Sequence, residues 1–255
     1  MKKRTMLISG AGSGIGRGLA ELASRDNWRV CVTDLDAESA EGTAKAIIAG
    51  GGEAEAFELD VTSQQSIQRV MDLLGDRPID VLVNNAGLQY VSKLDDYPQE
   101  KWDLLLRVML SGAGAMTRAV LPGMKRNGFG RIVNIGSIHS LVASPYKSAY
   151  VAAKHGLLGL SKVVALETAA WDITINTICP SYVRTPLVEK QIADQARQHG
   201  IGEDEVVREI MLRPMPKKAF ISMEELYATV AFLVSDGARN ITGQAIAIDG
   251  GWTAQ

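Results

Sequence analysis

The stretch TMLISGAGSGIGRGLAELASR, residues 5–25, decides the fold. Its opening residues form a short, mostly apolar run of the kind that fills a strand buried on both faces. Four glycines follow at alternate positions, Gly10, Gly12, Gly14 and Gly16, and a helical pattern begins behind them. Glycines at a strand-to-helix turn let backbone amides close on a pyrophosphate at the positive end of a helix. The strand before and the helix after give the glycine run its meaning. The candidate cofactor contacts are Gly10, Ser13, Gly14, Ile15 and Gly16, with Ser9 and Ser13 offering hydroxyl donors.

Outward from there, β-rich runs alternate with helical ones. Strands are expected at 5–9, 29–33, 55–59, 80–85, 131–136, 173–179 and 244–249. Helices are expected near 14–25, 36–49, 63–75, 98–126, 148–170 and 222–234. This rhythm predicts an α/β, doubly wound Rossmann fold: a seven-stranded parallel sheet with helices on both faces and right-handed crossovers. The length, 255 residues, fits one domain over 1–255. One region, about 183–216, carries no strand and a charged GEDEVVRE segment. An insertion after the sixth strand lies over the carboxyl ends of the sheet, where such folds bind ligands, so it reads as a helical substrate lid.

Composition sets limits. Lys and Arg number 27 against 29 Asp and Glu, a net charge of −2, which gives nucleic acid or an anionic membrane no reason to bind. The two cysteines, Cys31 and Cys179, sit in β-branched runs and read as buried free thiols. No side-chain spacing suggests a metal site. No stretch approaches eighteen apolar residues, so no membrane-spanning helix is expected. The start, MKKRTMLISG, reads as the first strand rather than a signal peptide, which makes the cytoplasm the expected location.

Two carboxylates follow the second and third strands. Asp34 can accept from both ribose hydroxyls and would repel a 2′-phosphate, favouring NAD over NADP. A helix cap is the plainer role for it, and Arg17 in the glycine turn is a possible counterweight. Asp60, in LDVT, can accept from an adenine amino group or simply close a turn.

The segment SPYKSAYVAAKHG, 144–156, poses a separate question. At ~100° per residue, Lys147, Tyr150 and Lys154 fall within about 60° of one another on a helix otherwise suited to burial. A phenol titrates near ~10, and a neighbouring ammonium favours the phenolate, so Tyr150 can take an alcohol proton nearer neutrality. Lys154, four residues on, is placed for that. Ser137 can donate to an oxygen that gains charge.

SGAGSGIG, LDV, NNAG at 84–87, a serine after the fifth strand and YVAAK at 150–154 occur in one order. In this the sequence resembles the short-chain dehydrogenase/reductase family over its whole length. The resemblance implies Tyr150 as general acid/base, Lys154 as the group that tunes it and holds ribose, and Ser137 as the oxygen-binding hydroxyl. It extends the cofactor set to Val61, Asn85, Ala86, Gly87, Pro180, Val183 and Thr185, and has Asn84 and Asn85 framing the pocket. It also implies a homotetramer in which the C-terminal segment around Trp252 often reaches a neighbour.

A narrower resemblance is to the D-3-hydroxybutyrate dehydrogenase family, in NAGLQ (85–89), SIHSLVAS (137–144), KSAYVAAKHG (147–156), CP-YVRTPLVEKQI (179–192, with Ser181 interrupting) and DGGWTAQ (249–255). It implies a small 3-hydroxy or 3-oxo acid whose carboxylate is gripped by Gln89, His139, Lys147 and Gln191, with Tyr182 and Trp252 beside it. The expected reaction is NAD-dependent interconversion of an (R)-3-hydroxy acid, best 3-hydroxybutyrate, and its 3-oxo acid. Another alcohol, polyol or 3-oxoacyl substrate stays open, as does a non-catalytic nucleotide sensor. Three departures motivate them. Met109 stands where the family has an asparagine that holds a relay water, Ser181 replaces a glycine, and Tyr182 replaces a tryptophan. Asp34 is also untypical of the narrower family.

Overall fold

β1, Thr5–Ser9, is buried at every residue, and the sheet grows outward from it. In this computed structural model, residues 3–254 are described, save the side chains of 186–187 and 198–199. The other strands are β2 (Arg29–Asp34), β3 (Glu53–Glu58), β4 (Val81–Asn84), β5 (Phe129–Ile135), β6 (Asp172–Pro180) and β7 (Ala245–Ile248). All pairings are parallel, in the order β3-β2-β1-β4-β5-β6-β7. The order reverses between β1 and β4, the switch point where a doubly wound sheet opens a ligand crevice.

Alternation along β1 feeds two cores. Met6 and Ile8 point to one face and pack with α1 (Gly14–Arg25), α2 (Ala37–Ala49) and α9 (Met223–Val234). Leu7 points to the other and packs with α3 (Gln64–Leu74), α5 (Ala113–Asn127) and α6 (Ser148–Glu167). The edge strand β3 keeps only an alternating, half-buried pattern, and its glutamates stay exposed. Charge on an unpaired edge discourages further strand addition.

The helix expected over 98–126 is interrupted. It runs as α4 (Gln99–Leu106), a π-helical segment Arg107–Gly112, and α5. At Gly112 a Cβ would stand 2.8 Å from Val61 Cγ2, so the backbone presses directly on the β3–α3 connection there. The whole run Gln99–Asn127 is, by length and composition, apolar enough to cross a bilayer, which corrects the expectation that no stretch is. Its apolar side is nevertheless committed: Leu105, Met109, Met116, Val120 and Met124 are all buried.

The segment after β6 is helical, as expected. It holds α7 (Pro186–His199), the short α8 (Glu203–Val206) and a π-helical turn Val207–Met211. Val188, Ile192, Val206 and Met211 give it a small core of its own. One parallel bridge, Val183 with Ile221, fastens its base. Cys31 and Cys179 are free and buried, and burial pushes the Cys31 thiol up to about 12. Among the described residues no group of metal-ligating side chains occurs.

Candidate active site

The glycine turn is locked from below. Gly10 has φ +65°, and a Cβ there would stand 2.8 Å from Ala86 Cα. A Cβ on Gly16 would stand 2.2 Å from the Gly10 carbonyl oxygen. Gly14, at φ +54°, meets nothing within 4 Å. The turn is thus crowded toward the sheet and open at the head of α1, a cradle that suits a pyrophosphate. Ser13 is the exposed N-cap residue of α1, and its side chain accepts no capping bond. Ile15 packs inward on the first core. Ser9 corrects the sequence reading. Its Oγ accepts from Asn85 N and Ala86 N at 3.1 Å each, so it ties β1 to the end of β4 instead of facing a phosphate. Asn85 Nδ2 completes the clasp on the Ser9 and Gly10 carbonyls, 2.9 Å each.

Asp34 ends β2 with Oδ2 accepting from Gly12 N (2.9 Å) and Oδ1 from Asp36 N (3.1 Å). The helix cap considered for it belongs to Asp36, which accepts from Glu38 N. Arg17 turns aside to Glu21 at 2.8 Å. Asp60 closes a turn on Thr62, through its amide (2.8 Å) and hydroxyl (2.7 Å). Val61 and Ala86 line the crevice floor, and Gly87 is exposed beyond them.

At the other side of the switch point, β5 delivers Ser137 and α6 delivers Tyr150 and Lys154. Ser137 opens a 3-10 turn, Ile138–Ser140, in which its Oγ accepts from His139 N and its own amide donates to Ser140 Oγ, both at 3.2 Å. The reciprocal bond with Ser140 had no signal in the sequence. Burial pushes the Tyr150 phenol up, and a hydrogen bond with Ser137 works against that rise. Lys154 is 5% exposed; its Nζ donates to the Ile135 carbonyl at 2.6 Å and lies 5.6 Å from the Tyr150 ring centroid. Burial pulls its ammonium down to about 8. The ammonium thus sits over the ring, held there by a backbone carbonyl.

Lys147 is not on the helical face. It is the N-cap residue of α6, and from there its Nζ reaches His139 Nε2 at 3.3 Å. With the ammonium donating, Nε2 is the acceptor. Burial first, and Lys147 second, pull His139 down to about 4, while burial lowers Lys147 as well. The His139 ring meets Tyr150 edge-on at 6.2 Å and Trp252 at 6.0 Å. Tyr182 stacks on Trp252 at 6.3 Å. Tyr150 therefore lies beside an aromatic cluster of His139, Trp252 and Tyr182, with Lys147 joined to it through His139.

The comparisons with known proteins point to one family. A family model described as Enoyl-(Acyl carrier protein) reductase matches residues 10–253. A D-beta-hydroxybutyrate dehydrogenase of Rhizobium meliloti is 45% identical, over 99% of each chain. Its namesake from Cupriavidus necator is 42% identical, over 99% of this chain and 98% of its own. An uncharacterized oxidoreductase of Bacillus subtilis, YxjF, is 38% identical over the full length of both. The chain belongs to the short-chain dehydrogenase/reductase family.

As a short-chain dehydrogenase/reductase it is an oxidoreductase acting on CH–OH donors with a nicotinamide cofactor. The cradle at Gly14 and the carboxylate of Asp34 fit such a dinucleotide. Pro180 ends β6, Val183 is buried in the bridge to Ile221, and Thr185 caps α7 by accepting from Val188 N at 3.4 Å. Gln89 accepts from Tyr90 N at 3.2 Å, in the loop after β4. Gln191 is half-buried on α7. Among the described hydrogen bonds neither glutamine reaches the His139–Lys147 pair. Of the family departures, Ser181 donates to Met215 Sδ (3.3 Å), and Met109 is buried in the π-helical segment with its thioether toward Gly87.

Proposed function

We propose that the enzyme interconverts a small (R)-3-hydroxy acid, 3-hydroxybutyrate, and its 3-oxo acid with NAD. The observation that carries this is the His139–Lys147 pair, 3.3 Å apart, with the His139 ring edge-on to Tyr150 at 6.2 Å. Buried His139 and half-buried Lys147 face each other with no counter-charge among the described contacts, and each disfavours protonation of the other. A carboxylate placed against them supplies that charge and gains charge-assisted hydrogen bonds in return. Relatives named D-beta-hydroxybutyrate dehydrogenase at 45% and 42% identity support the same substrate. The stereochemistry follows the relatives alone.

In this reading Lys147 binds the carboxylate, and His139, Gln89 and Gln191 complete its surroundings, with Gln191 brought in by closure of α7. Tyr182 and Trp252 wall off water. Ser137 donates to the substrate oxygen as it gains charge. Tyr150 takes the hydroxyl proton, and Lys154 favours its phenolate while holding ribose. The bound nicotinamide supplies the hydride acceptor. The carboxylate of Asp34, with Arg17 already paired to Glu21 at 2.8 Å, supports NAD over NADP. The homotetramer implied by the resemblance is part of the proposal.

The test is NADH formation from (R)-3-hydroxybutyrate, (S)-3-hydroxybutyrate and an uncharged secondary alcohol, each with NAD and with NADP. Turnover confined to the (R)-acid with NAD is expected. Lys147→Ala should raise KM for the acid by roughly tenfold to a hundredfold, the scale of a hydrogen bond to a charged group. Turnover on the alcohol but neither acid would discard the substrate and leave the Tyr150 chemistry standing.

A further inference from the structure

Asn84 ends β4 and is 5% exposed. Its Nδ2 is committed: it donates to Asn134 Oδ1 at 2.8 Å and to Thr117 Oγ1 at 3.2 Å. These partners fix which end of the amide is which. Its Oδ1 is left buried and accepts from no described residue. A buried acceptor with no donor costs roughly 1–3 kcal/mol, and native interiors almost always satisfy it, with protein or with water.

Asn84 lines a small cavity of about 10 Å³ in the crevice floor together with Met109, Ile135 and Lys154. That is about the volume one water needs. A water there also needs polar partners on more than one side. Lys154 provides one, because an ammonium carries three protons and only the Ile135 carbonyl, at 2.6 Å, takes one among the described bonds. Met109 provides none of consequence, since a thioether donates nothing and accepts weakly. Ser9, also on the wall, has its hydroxyl proton directed to the Val83 carbonyl (3.4 Å). The orphaned oxygen and the under-used ammonium thus border one water-sized space.

We propose that Asn84 is a positioning residue for Lys154, through one buried water held between them. The water donates to Asn84 Oδ1 and accepts from Lys154 Nζ. No bond to carbon or hydrogen changes; the lysine keeps its protons and gains a second acceptor beside its own buried side chain. That favours the charged lysine and fixes its place over the Tyr150 ring. The oxygen that holds the water comes from the sheet, at the end of β4, rather than from the helix that carries Met109. The inference rests on the reading of Lys154 as the group that serves Tyr150.

Two experiments decide it. A crystal structure of the enzyme that shows ordered waters should place one within hydrogen-bond distance of both Asn84 Oδ1 and Lys154 Nζ. A dry cavity, or a water bonded to Lys154 but not to Asn84, overturns the proposal. Asn84→Leu should lower kcat by about tenfold with KM for the acid unchanged. It should also move the basic limb of the kcat–pH profile to lower pH. A purely structural role would lower the unfolding midpoint and leave that limb where it was, and a limb unmoved in a folded variant also overturns the proposal. Where Asn84→Leu does not fold, the water in the wild-type crystal decides between the two. Failure of the wild type to oxidise any alcohol would instead strike the proposed function, and the water would still be present or absent on its own.

Discussion

Asp34 holds two backbone amides, Gly12 N at 2.9 Å and Asp36 N at 3.1 Å, and so shapes the glycine turn before any ligand arrives. Asp34→Ala should lower the NAD-to-NADP ratio of kcat/KM and cost about 1 kcal/mol of stability through the Gly12 amide it abandons. An unchanged ratio beside that stability loss would mean that Asp34 is a turn residue only. His139 yields a prediction of another kind. Folding lowers it from 6.5 to about 4, because the ring is buried against Lys147, with His155 pushing the same way. Between those values the unfolded chain binds a proton that the folded chain refuses. Its stabilising contribution is therefore complete above the unfolded value and is lost as pH falls toward the folded one, by up to ~3 kcal/mol. Denaturant unfolding at both ends of that window should show this slope, and His139→Gln should flatten it. An equal slope in the variant would assign the loss to carboxylates elsewhere. The residue types of the site were legible in the sequence, but several partners were not. Ser9 and Lys154 carry hydroxyl and ammonium groups suited to ligands, yet the nearest acceptors and donors are backbone atoms brought up by other strands.

At the scale of elements, the strands were legible because parallel strands buried on both faces read as continuous apolar runs. β1 begins and ends where expected, and β3 and β5 are displaced most, each starting two residues and ending one residue before its expected bounds. The π-helical segment Arg107–Gly112 left no periodic signal, since it reflects the fit of Gly112 against Val61, a residue far away in the chain. Lys147 was misplaced for a similar reason: its i+3 and i+7 spacing to Tyr150 and Lys154 is helical, but the helix begins one residue later. Met109, 2% exposed within the π-helical segment, offers the test at this scale. Met109→Asn places an amide on the wall of the Lys154 cavity. It should lower the unfolding midpoint, because burying an amide in place of a thioether costs ~1–3 kcal/mol unless it is bonded. It should keep or raise kcat with the acid at saturation. A large fall in kcat with the circular dichroism spectrum unchanged would show that a missing relay amide does not limit turnover.

Across the whole molecule, the alternation of strand and helix specified the winding of the sheet, since parallel neighbours joined by right-handed crossovers admit few orders. What such local patterns do not encode is which outer faces meet another chain. α6 carries two outward apolar residues one turn apart, Val163 at 54% and Leu166 at 80% exposure, on a helix whose other side is core. A contiguous apolar patch on a surface marks an association site, and these two residues are where one on α6 would be centred. Burying a leucine of that kind contributes ~1.5–3 kcal/mol per copy. If the proposed tetramer uses this face, sedimentation of the wild type should give one species of four chains, and Leu166→Lys should shift it to smaller species with the same far-ultraviolet spectrum. A wild-type monomer would remove the tetramer, and a tetrameric variant would move the interface elsewhere. The dissociated variant then answers a second question. Trp252 packs against His139 at 6.0 Å and Tyr182 at 6.3 Å within its own chain. The aromatic wall of the pocket therefore needs no neighbour, and KM for the acid should survive dissociation within about twofold, well under the 1.4 kcal/mol that a tenfold change represents. A KM that rises tenfold or more on dissociation would show that the C-terminal turn holds its place only when a second subunit braces it.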